Sequence, residues 1–354
     1  MSTKNPGRRR FMDNNHDNET ITELCRDRKK GIWYRFTPEG ASDSIGKQWH
    51  GLIKFGNEKK LIIDLYGGGV SINEETAAAG WKFYSTTFAG NDEAQFYGIT
   101  SDDEDNPFKD HTCVNIPYCT GDFHIGTKDF EYTGEDGKKH ILRHHGYTNF
   151  RLAMEHLKKY IGQPDEVIVA GYSAGAFGAA FLAEEIFAEY FPDAANRIAL
   201  IDSAILIGDN WKKIASDVWG APEHIYNRFT GNDPVLDSLR SLSENVRGAK
   251  ILYSCSVRDG VFSAYQNYVD TGMLDADETT GGIFEKNLKE TVGELMKLPN
   301  ASVFIWNDRE SDTALTSHTL IMDRFTETFG GISIADWLSD AVNGKTVSYG
   351  LDLF

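Results

Sequence analysis

One short segment constrains the fold of this chain more than any other. Residues 167–170 are four apolar residues with the β-branched composition of a buried strand. A helical pattern from about residue 174 to 191 follows at once, after a turn that contains two glycines. A strand that leads so directly into a helix is the unit from which parallel sheets are built. The segment therefore predicts an α/β protein.

The rest of the chain repeats this alternation. Strand-like apolar runs occur at residues 61–66, 112–118, 198–201, 250–256 and 301–306. Helical patterns occur at residues 147–161, 320–329 and 332–342. We therefore expect a mostly parallel sheet with helices on both faces. Residues 1–30 are polar and show no periodicity, which predicts a flexible N-terminal tail followed by a single domain over residues 31–354.

The charge of the chain excludes several kinds of partner. Its 354 residues carry 36 basic and 53 acidic side chains, a net charge of −17. Such a balance argues against binding to nucleic acid and against docking on an anionic membrane. The longest uncharged stretch, residues 167–183, is too short and too rich in small residues to span a bilayer. The basic residues near the N-terminus precede a polar run rather than the apolar run of a signal peptide, so we expect a cytoplasmic protein. Secretion with a leader already removed is the alternative.

The cysteines and the acidic residues do not form a metal-binding pattern. Cys25, Cys113, Cys119 and Cys255 lack metal-ligand spacing and are expected to be free buried thiols, although Cys113 and Cys119 could pair. The acidic run at residues 101–106 lacks the spacing of a calcium loop and is interpreted as a solvated loop. We expect neither a metal nor a cofactor.

The turn after the strand at residues 167–170 reads Gly171-Tyr172-Ser173-Ala174-Gly175. In serine hydrolases a serine on such a strand–turn–helix junction is lifted above the edge of the sheet, where it can attack a substrate. The glycines leave room for the tight turn, and the helix N-terminus favours negative charge at the serine. Ser173 is therefore the candidate nucleophile.

A glycine run ends the strand at residues 61–66. In Gly67-Gly68-Gly69 the backbone is free to turn its N–H groups toward a substrate, as in the oxyanion loop of lipases. The N–H groups of Gly68, Gly69 and Ala174 are the candidate oxyanion hole. No Gly-Lys-Ser/Thr follows, which argues against a phosphate-binding loop.

The base of a serine hydrolase follows the nucleophile in the chain, and its orienting acid lies between them. Only His224 and His318 follow Ser173, and we favour His318 because it comes after the last strand. Asp259 and Asp202 each follow a strand and are the two serious candidates for the acid. Asp259 is preferred because it ends the strand before that of the histidine, and Asp202 stays as the alternative. Asp308 and Asp312 are weaker because they lie close to the histidine in sequence.

A further stretch, Tyr118-Cys119-Thr120-Gly121-Asp122-Phe123-His124, follows the strand at residues 112–118. Together with the glycine run, Asn106-Pro107-Phe108, the Ser173 turn and Asp202-Ser203, it resembles the pectin acetylesterase family, to which animal Notum also belongs. The resemblance covers almost the whole predicted domain. It implies an α/β-hydrolase-like fold and a carboxylesterase with a Ser173–Asp259–His318 triad. Asp122, His124 and Tyr172 are then candidate substrate-binding residues.

Two departures from the family pattern stand out. The family places its acid three residues before a glutamine, whereas Asp259 lies seven residues before Gln266. Ser71 and Tyr172 replace cysteines of secreted members, which fits a reducing compartment. The expected function is hydrolysis of acyl esters, acetyl groups foremost, on a small molecule or a glycan. The alternatives are an inactive binding protein on the same fold and a serine peptidase or thioesterase.

Overall fold

The computed structural model describes residues 21–87, 96–309 and 314–354. The strands, in chain order, are β1 (Thr22–Glu23), β2 (Trp33–Phe36), β3 (Gly51–Lys54), β4 (Asn57–Leu65), β5 (His111–Ile116), β6 (Lys128–Thr133), β7 (Lys139–His144), β8 (Glu166–Tyr172), β9 (Asn196–Asp202), β10 (Lys250–Ser256), β11 (Ala301–Trp306), β12 (Thr328–Phe329) and β13 (Ile332–Ser333). The helices are α1 (Glu74–Ala79), α2 (Gly146–Leu157), α3 (Ala174–Glu185), α4 (Trp211–Lys213), α5 (Glu223–Tyr226), α6 (Pro234–Asn245), α7 (Gly260–Thr271), α8 (Glu278–Leu295) and α9 (Ile334–Val342). Two π-helical turns, Ile186–Tyr190 and Ile214–Trp219, continue α3 and α4.

Within these ranges one sheet has nine strands in the order β1-β2-β3-β5-β4-β8-β9-β10-β11. The strands from β5 to β11 in this order are all parallel, and β3 runs antiparallel to its neighbours β2 and β5. Two hairpins, β6–β7 and β12–β13, lie outside this sheet. The prediction of a mostly parallel sheet is confirmed.

The central strands are buried on both faces. Every residue of β8 is buried, as is every residue of β4 from Leu61 to Leu65. Successive strand residues point to opposite faces, so continuous burial means that both faces are covered. Asp64 is the one polar residue in the buried stretch Leu61–Leu65 of β4, and burial raises the pKa of its carboxyl to about 8.

The helix after the Ser173 turn lies against the sheet at close range. All residues of α3 except Glu184 are buried, because small side chains on every face let the helix sit between β4, β8, β9 and α6. A Cβ atom on Gly175 would lie 1.9 Å from the carbonyl oxygen of Leu65. Only glycine therefore allows the first turn of α3 to contact the end of β4. The predicted strand–helix unit is confirmed in its position; β8 is longer than predicted, and the predicted helix consists of α3 and the π-helical turn that follows it.

Two predictions about the ends of the chain need comment. Thr22 and Glu23 pair in parallel with Tyr34 and Arg35, so the sheet extends into residues assigned to the tail, while residues 1–20 lie outside the described residues. The helix predicted over residues 320–329 is wrong, since that segment consists of turns followed by β12. Gly330 and Gly331, with φ of +62° and +87°, turn the chain into the β12–β13 hairpin. A Gly-Gly pair between apolar residues is a hairpin signal that outweighs the helical spacing.

All four cysteines are free thiols, and Cys113, Cys119 and Cys255 are buried as expected. Cys25 is exposed, which corrects its expected burial. None of the helices in the described ranges has the length and apolar character that crossing a bilayer requires. The cytoplasmic location stays a prediction.

The topology brings five strand ends to one edge of the sheet. β4, β8, β9, β10 and β11 are consecutive neighbours and run parallel, so their carboxyl ends lie side by side. Ligand and catalytic groups of open parallel sheets collect at this edge. Asp202 is the last residue of β9, and the glycine run, Ser173, Asp259 and the loop of His318 each follow another of these five strands.

Candidate active site

Ser173 occupies a strained turn between β8 and α3. Its φ of +55° lies in the left-handed region, which a residue other than glycine seldom adopts. Its backbone N–H donates to the carbonyl of Asp202 on the neighbouring strand, at 3.0 Å. Its side chain caps no helix N–H group and is only partly buried. The turn thus presents the hydroxyl at the sheet edge, as a nucleophile requires.

Asp259 and His318 form a direct contact at this edge. Oδ2 of Asp259 lies 2.6 Å from Nδ1 of His318. The other oxygen, Oδ1, accepts the N–H groups of Val261 and Phe262, both at 3.0 Å, so Asp259 is also the N-cap of α7. The carboxylate is fully buried, and the ring of Phe262 packs edge-on against that of His318, with their centroids 4.9 Å apart. These contacts fix the plane of the imidazole ring.

The second ring nitrogen of His318 is buried and unoccupied. Nε2 has no hydrogen-bond partner among the residues that the structure describes. When Nδ1 carries the proton shared with Asp259, Nε2 of a neutral ring is an acceptor. This nitrogen is therefore an acceptor that is open to a proton donor.

The electrostatics of the pair favour a charged imidazole. Burial on its own would lower the pKa of His318, but the charge and the hydrogen bond of Asp259, with a smaller contribution from Asp202, raise it above its ordinary value. An imidazolium formed during a reaction is therefore stabilised where it forms.

Asp202 makes different contacts from those expected of an orienting acid. Its Oδ2 accepts the backbone N–H groups of Leu320 and Ile321, at 2.6 and 2.9 Å. It lies on β9, under the loop that carries His318, and is fully buried. Burial raises the pKa of its carboxyl to about 6, although the two N–H groups oppose the shift. Of the two acid candidates, Asp259 is therefore the one in contact with the ring.

The glycine run packs against the Ser173 turn. A Cβ atom on Gly67 would lie 2.8 Å from Cβ of Ser173. Gly69 has a φ of +75°, and a Cβ atom there would lie 2.0 Å from the carbonyl oxygen of Phe83. The run pairs with residues 83–85, since Val70 N–H donates to Phe83 and Ser85 N–H donates to Gly68.

The three expected oxyanion donors are free to act. Within the described ranges, the N–H groups of Gly68, Gly69 and Ala174 donate to no protein acceptor. The loop is braced from behind, because the hydroxyl of Tyr118 donates to the carbonyl of Gly69 at 3.0 Å and that of Tyr265 donates to Phe83. The sequence analysis assigned no such role to Tyr118, which begins the stretch noted there, or to Tyr265, because both act on the loop from distant parts of the chain.

The three expected substrate-binding residues lie beneath the site rather than at its surface. Asp122 is fully buried and accepts from the Thr120 hydroxyl at 2.6 Å and from Gly146 N–H at 2.7 Å. Nε2 of His124 lies 2.9 Å from the carbonyl oxygen of Tyr66, and burial lowers the pKa of His124 to about 4. Their polar atoms serve the protein itself, so the structure does not support a substrate contact for either.

Tyr172 is likewise buried beneath the turn. Its ring packs against that of Tyr66, with a centroid separation of 5.7 Å, and burial raises the pKa of its hydroxyl well above the ordinary value. This tilted pair supports the end of β8 just before Ser173, which is a packing role rather than contact with a substrate.

The remaining candidates lie elsewhere. The side chain of His224 is 58% exposed, and its Nε2 lies 3.2 Å from Glu185 on α3, as expected of a surface residue. Asp308 pairs with Arg324 at 2.7 Å and accepts Ser317 N–H at 3.0 Å, whereas Asp312 lies outside the described residues. Gln266 holds the backbone of Ile207 from the second turn of α7.

Comparison with known proteins identifies one family model and one solved structure that resemble this chain. The pectinacetylesterase family model matches residues 53–219, a range that contains the glycine run and Ser173 but ends before Asp259 and His318. No curated protein matches significantly. Among solved structures, the Wnt deacylase Notum from Drosophila superposes with a TM-score of 0.61, at 13% sequence identity, over 89% of this chain and 96% of that chain.

At that level of identity the structural match establishes the fold alone. The expected α/β-hydrolase-like fold is thereby confirmed. The resemblance in sequence is also confirmed: over residues 53–219 this chain carries the pattern of the pectinacetylesterase family.

Proposed function

We propose that this protein is a serine ester hydrolase in which Ser173 is the nucleophile, His318 the general base and Asp259 the orienting acid. The observation that carries the proposal is the buried Asp259–His318 contact of 2.6 Å, which leaves Nε2 of the ring unpartnered. It lies at the same sheet edge as the strained Ser173 turn. A serine hydroxyl reacts only when a base removes its proton, and these three side chains supply that arrangement.

The reaction follows from the roles of the atoms. Nε2 of His318 takes the proton of the Ser173 hydroxyl as Oγ attacks the ester carbonyl carbon. The carbonyl oxygen becomes an oxyanion and accepts the N–H groups of Gly68, Gly69 and Ala174. His318 then gives its proton to the departing alcohol oxygen, which leaves an acyl group on Ser173. A water molecule, deprotonated by the same nitrogen, releases the acid and restores the hydroxyl.

Asp259 contributes in two ways. Its carboxylate accepts the Nδ1 proton, so the neutral ring keeps Nε2 free for the serine, and its charge stabilises the imidazolium formed in each half-reaction. Because α7 begins at this residue, the helix cap fixes the carboxylate before any substrate arrives.

The substrate class is proposed from the family and from the charge. The pectinacetylesterase pattern suggests an acetyl ester, on a small molecule or on a glycan. The net charge of −17 favours a neutral carrier over a polyanion, because like charges slow the encounter at low salt.

The test compares two serines at equivalent places on neighbouring strands. Ser203 follows β9 as Ser173 follows β8, and it also has a positive φ, +63°, but its hydroxyl is buried and unpartnered among the described residues. We expect Ser173→Ala to lower turnover of p-nitrophenyl acetate by about three decades or more. We expect Ser203→Ala to keep most of it.

Covalent labelling gives a second readout. An alkyl fluorophosphonate should modify Ser173 in the wild-type protein and in Ser203→Ala, and peptide mass spectrometry locates the adduct. A series of p-nitrophenyl esters from acetyl to decanoyl then measures acyl preference. Undiminished turnover in Ser173→Ala would refute the proposal. An intact protein that neither turns over any ester nor reacts with the probe would instead be a binding protein on this fold.

A further inference from the structure

Asp202 contacts both the Ser173 turn and the loop that carries His318, yet the proposed mechanism does not use it. Its backbone carbonyl accepts the N–H group of Ser173 at 3.0 Å. Its carboxylate accepts the N–H groups of Leu320 and Ile321, directly after the base. One buried residue is thus hydrogen-bonded to the nucleophile turn and to the loop of the base.

The loop around His318 has no helix or strand of its own to fix it. Thr319, between His318 and the bonded N–H groups, adopts a φ of +62°. Before the histidine, the carbonyl of Ser317 accepts the hydroxyl of Ser256 at 2.7 Å. After it, the carboxylate of Asp202 holds two consecutive N–H groups. The base therefore lies between two anchors, one at the end of β10 and one at the end of β9.

The second anchor depends on a single oxygen. Both N–H groups donate to Oδ2, and Oδ1 of the same carboxylate is buried without a partner among the described residues. Without an acceptor at Oδ2 the two buried N–H groups would lose their hydrogen bonds, so the loop would move to regain them. The loop carries His318, so that movement would displace the ring from Ser173.

We infer that Asp202 is a positioning residue, which holds the base loop at a fixed distance from the nucleophile turn by hydrogen-bonding to both. The inference rests on the proposed function and deepens it. Asp202 touches neither substrate nor ring nitrogen, and it acts through the backbone of the residues that do.

The negative charge of Asp202 should affect the pKa of His318, and so the acid limb of the pH profile. A purely structural role of Asp202 would leave that limb unchanged. The ionisable groups that face His318 are Asp259 from the start of α7 and Asp202 from β9. Behind them, Tyr253 and Cys255 of β10 have pKa values raised well above their ordinary range by burial, so they stay neutral. Replacing Asp202 with asparagine removes one of two negative charges near the ring while keeping an oxygen for the N–H groups.

The experiment uses the full chain with Asp202→Ala, Asp202→Asn and a matched control, Asp237→Asn. Asp237 is a buried carboxylate on α6 whose Oδ2 also accepts two consecutive N–H groups, those of Thr230 and Gly231, at 2.8 and 2.7 Å. Turnover of p-nitrophenyl acetate is measured per active site, counted by fluorophosphonate titration, from pH 5 to pH 9.

We expect Asp202→Ala to lower kcat by about 10- to 100-fold, the cost of a misplaced catalytic group, with KM changed less than about twofold. Asp202→Asn should regain most of kcat at the optimum. Its acid limb should lie at lower pH than that of the wild type, because the lost negative charge no longer raises the pKa of His318. Asp237→Asn should match the wild type in kcat and in both limbs.

Three results would overturn the inference. In the first, Asp202→Asn has the same kcat per active site and the same acid limb of the pH profile as the wild type. This result counts whether or not Asp202→Ala folds. The second is a loss in Asp202→Asn as large as that in Asp259→Asn, which would make Asp202 the orienting acid. The third is an equal limb shift in Asp237→Asn. Failure of the proposed function itself is recognised separately, by activity that survives in Ser173→Ala.

Discussion

Asp259→Asn is the sharpest test of the triad, because the substitution is nearly isosteric. Oδ1 of the new side chain can still accept the N–H groups of Val261 and Phe262, and asparagine caps helices about as well as aspartate. The cap of α7, and with it the fold, should therefore survive. The change is confined to the atom 2.6 Å from Nδ1 of His318, where an amide NH₂ replaces a carboxylate oxygen.

The size of the effect follows from that contact. An amide NH₂ donates only, so Nδ1 must become the acceptor and the neutral ring must carry its proton on Nε2. A protonated Nε2 cannot take the serine proton, and the imidazolium also loses its buried counter-charge. We expect turnover to fall by about 10⁴-fold, which corresponds to about 5 kcal/mol of activation free energy.

The pH profile adds a signed prediction. The base acts only when neutral, and Asp259 raises the pKa of His318 above its ordinary value. The acid limb of kcat/KM should therefore lie above pH 6.5 in the wild type. In Asp259→Asn the burial of the ring is no longer opposed by that charge, so the limb of the residual activity should move to lower pH.

The assay compares Asp259→Asn with Asp233→Asn. Asp233 caps α6 in the same way: Oδ1 accepts two backbone N–H groups, and Oδ2 accepts the hydroxyl of Thr291 at 2.7 Å. Turnover per titrated active site and thermal unfolding are measured for both. Asp233→Asn should keep wild-type turnover. If Asp259→Asn retains more than a tenth of wild-type turnover while His318→Ala is inactive, another group orients the base and the reasoning is wrong.

Three further predictions concern the oxyanion loop, the substrate and acid stability. Tyr265→Phe removes the hydroxyl that donates to the Phe83 carbonyl, so kcat should fall by about tenfold with KM little changed. A trifluoromethyl ketone inhibitor should bind correspondingly more weakly. Equal loss of substrate affinity and inhibitor affinity would contradict a role of Tyr265 in the loop. Acetylated pectin should be hydrolysed more slowly than neutral acetyl esters at low salt, and its rate of hydrolysis should rise as salt is added. A pectin rate that falls with salt would contradict the argument that the negative net charge repels a polyanion. His111 and Asn196 hold the pKa of Glu166 below its ordinary value despite burial, so this carboxylate stabilises the fold above about pH 4.5 and the stabilisation is lost as pH falls. Urea unfolding at pH 6 and pH 3.5 should show a smaller pH dependence in Glu166→Gln than in the wild type, and equal dependence would count against the pair.

The sequence predicts those parts of the site that depend on neighbours along the chain. The Ser173 turn is local, since a strand, two glycines and a small-residue helix occur within one short segment. The glycine run is equally local. Both lie where the pattern places them, because short-range sterics leave those residues few other conformations.

The sequence favours Asp259 over Asp202 only through the order of the strands. Both follow parallel strands that are neighbours in the sheet, so both reach the same edge. What separates them is the path of the loop after β11, which lays the His318 ring on Asp259 and its own backbone on Asp202. No pattern along the chain encodes that path.

The sequence also could not predict that Asp122 and His124 are buried rather than exposed to a substrate. They follow β5 at the expected edge, but Phe123 and His124 have φ of +50° and +65°. Two successive left-handed residues turn the segment under the glycine run, where Asp122 meets α2 through Gly146. Such a pair carries little signal in residue type, since phenylalanine does not favour this conformation and histidine, although enriched in it, adopts it in only a small fraction of cases.

The order of the elements along the chain also decides when the proposed triad would first be complete during synthesis. The oxyanion loop and Ser173 belong to β4 and β8, whereas Asp259 and His318 follow β10 and β11, close to the C-terminus. A chain emerges N-terminus first, so the proposed nucleophile is made before the proposed acid and base. On the proposed mechanism, incomplete chains that end before β11 lack the base, so we expect them to hydrolyse no esters. Proteolytic removal of the residues after Trp306, which include His318, would inactivate the protein in the same way.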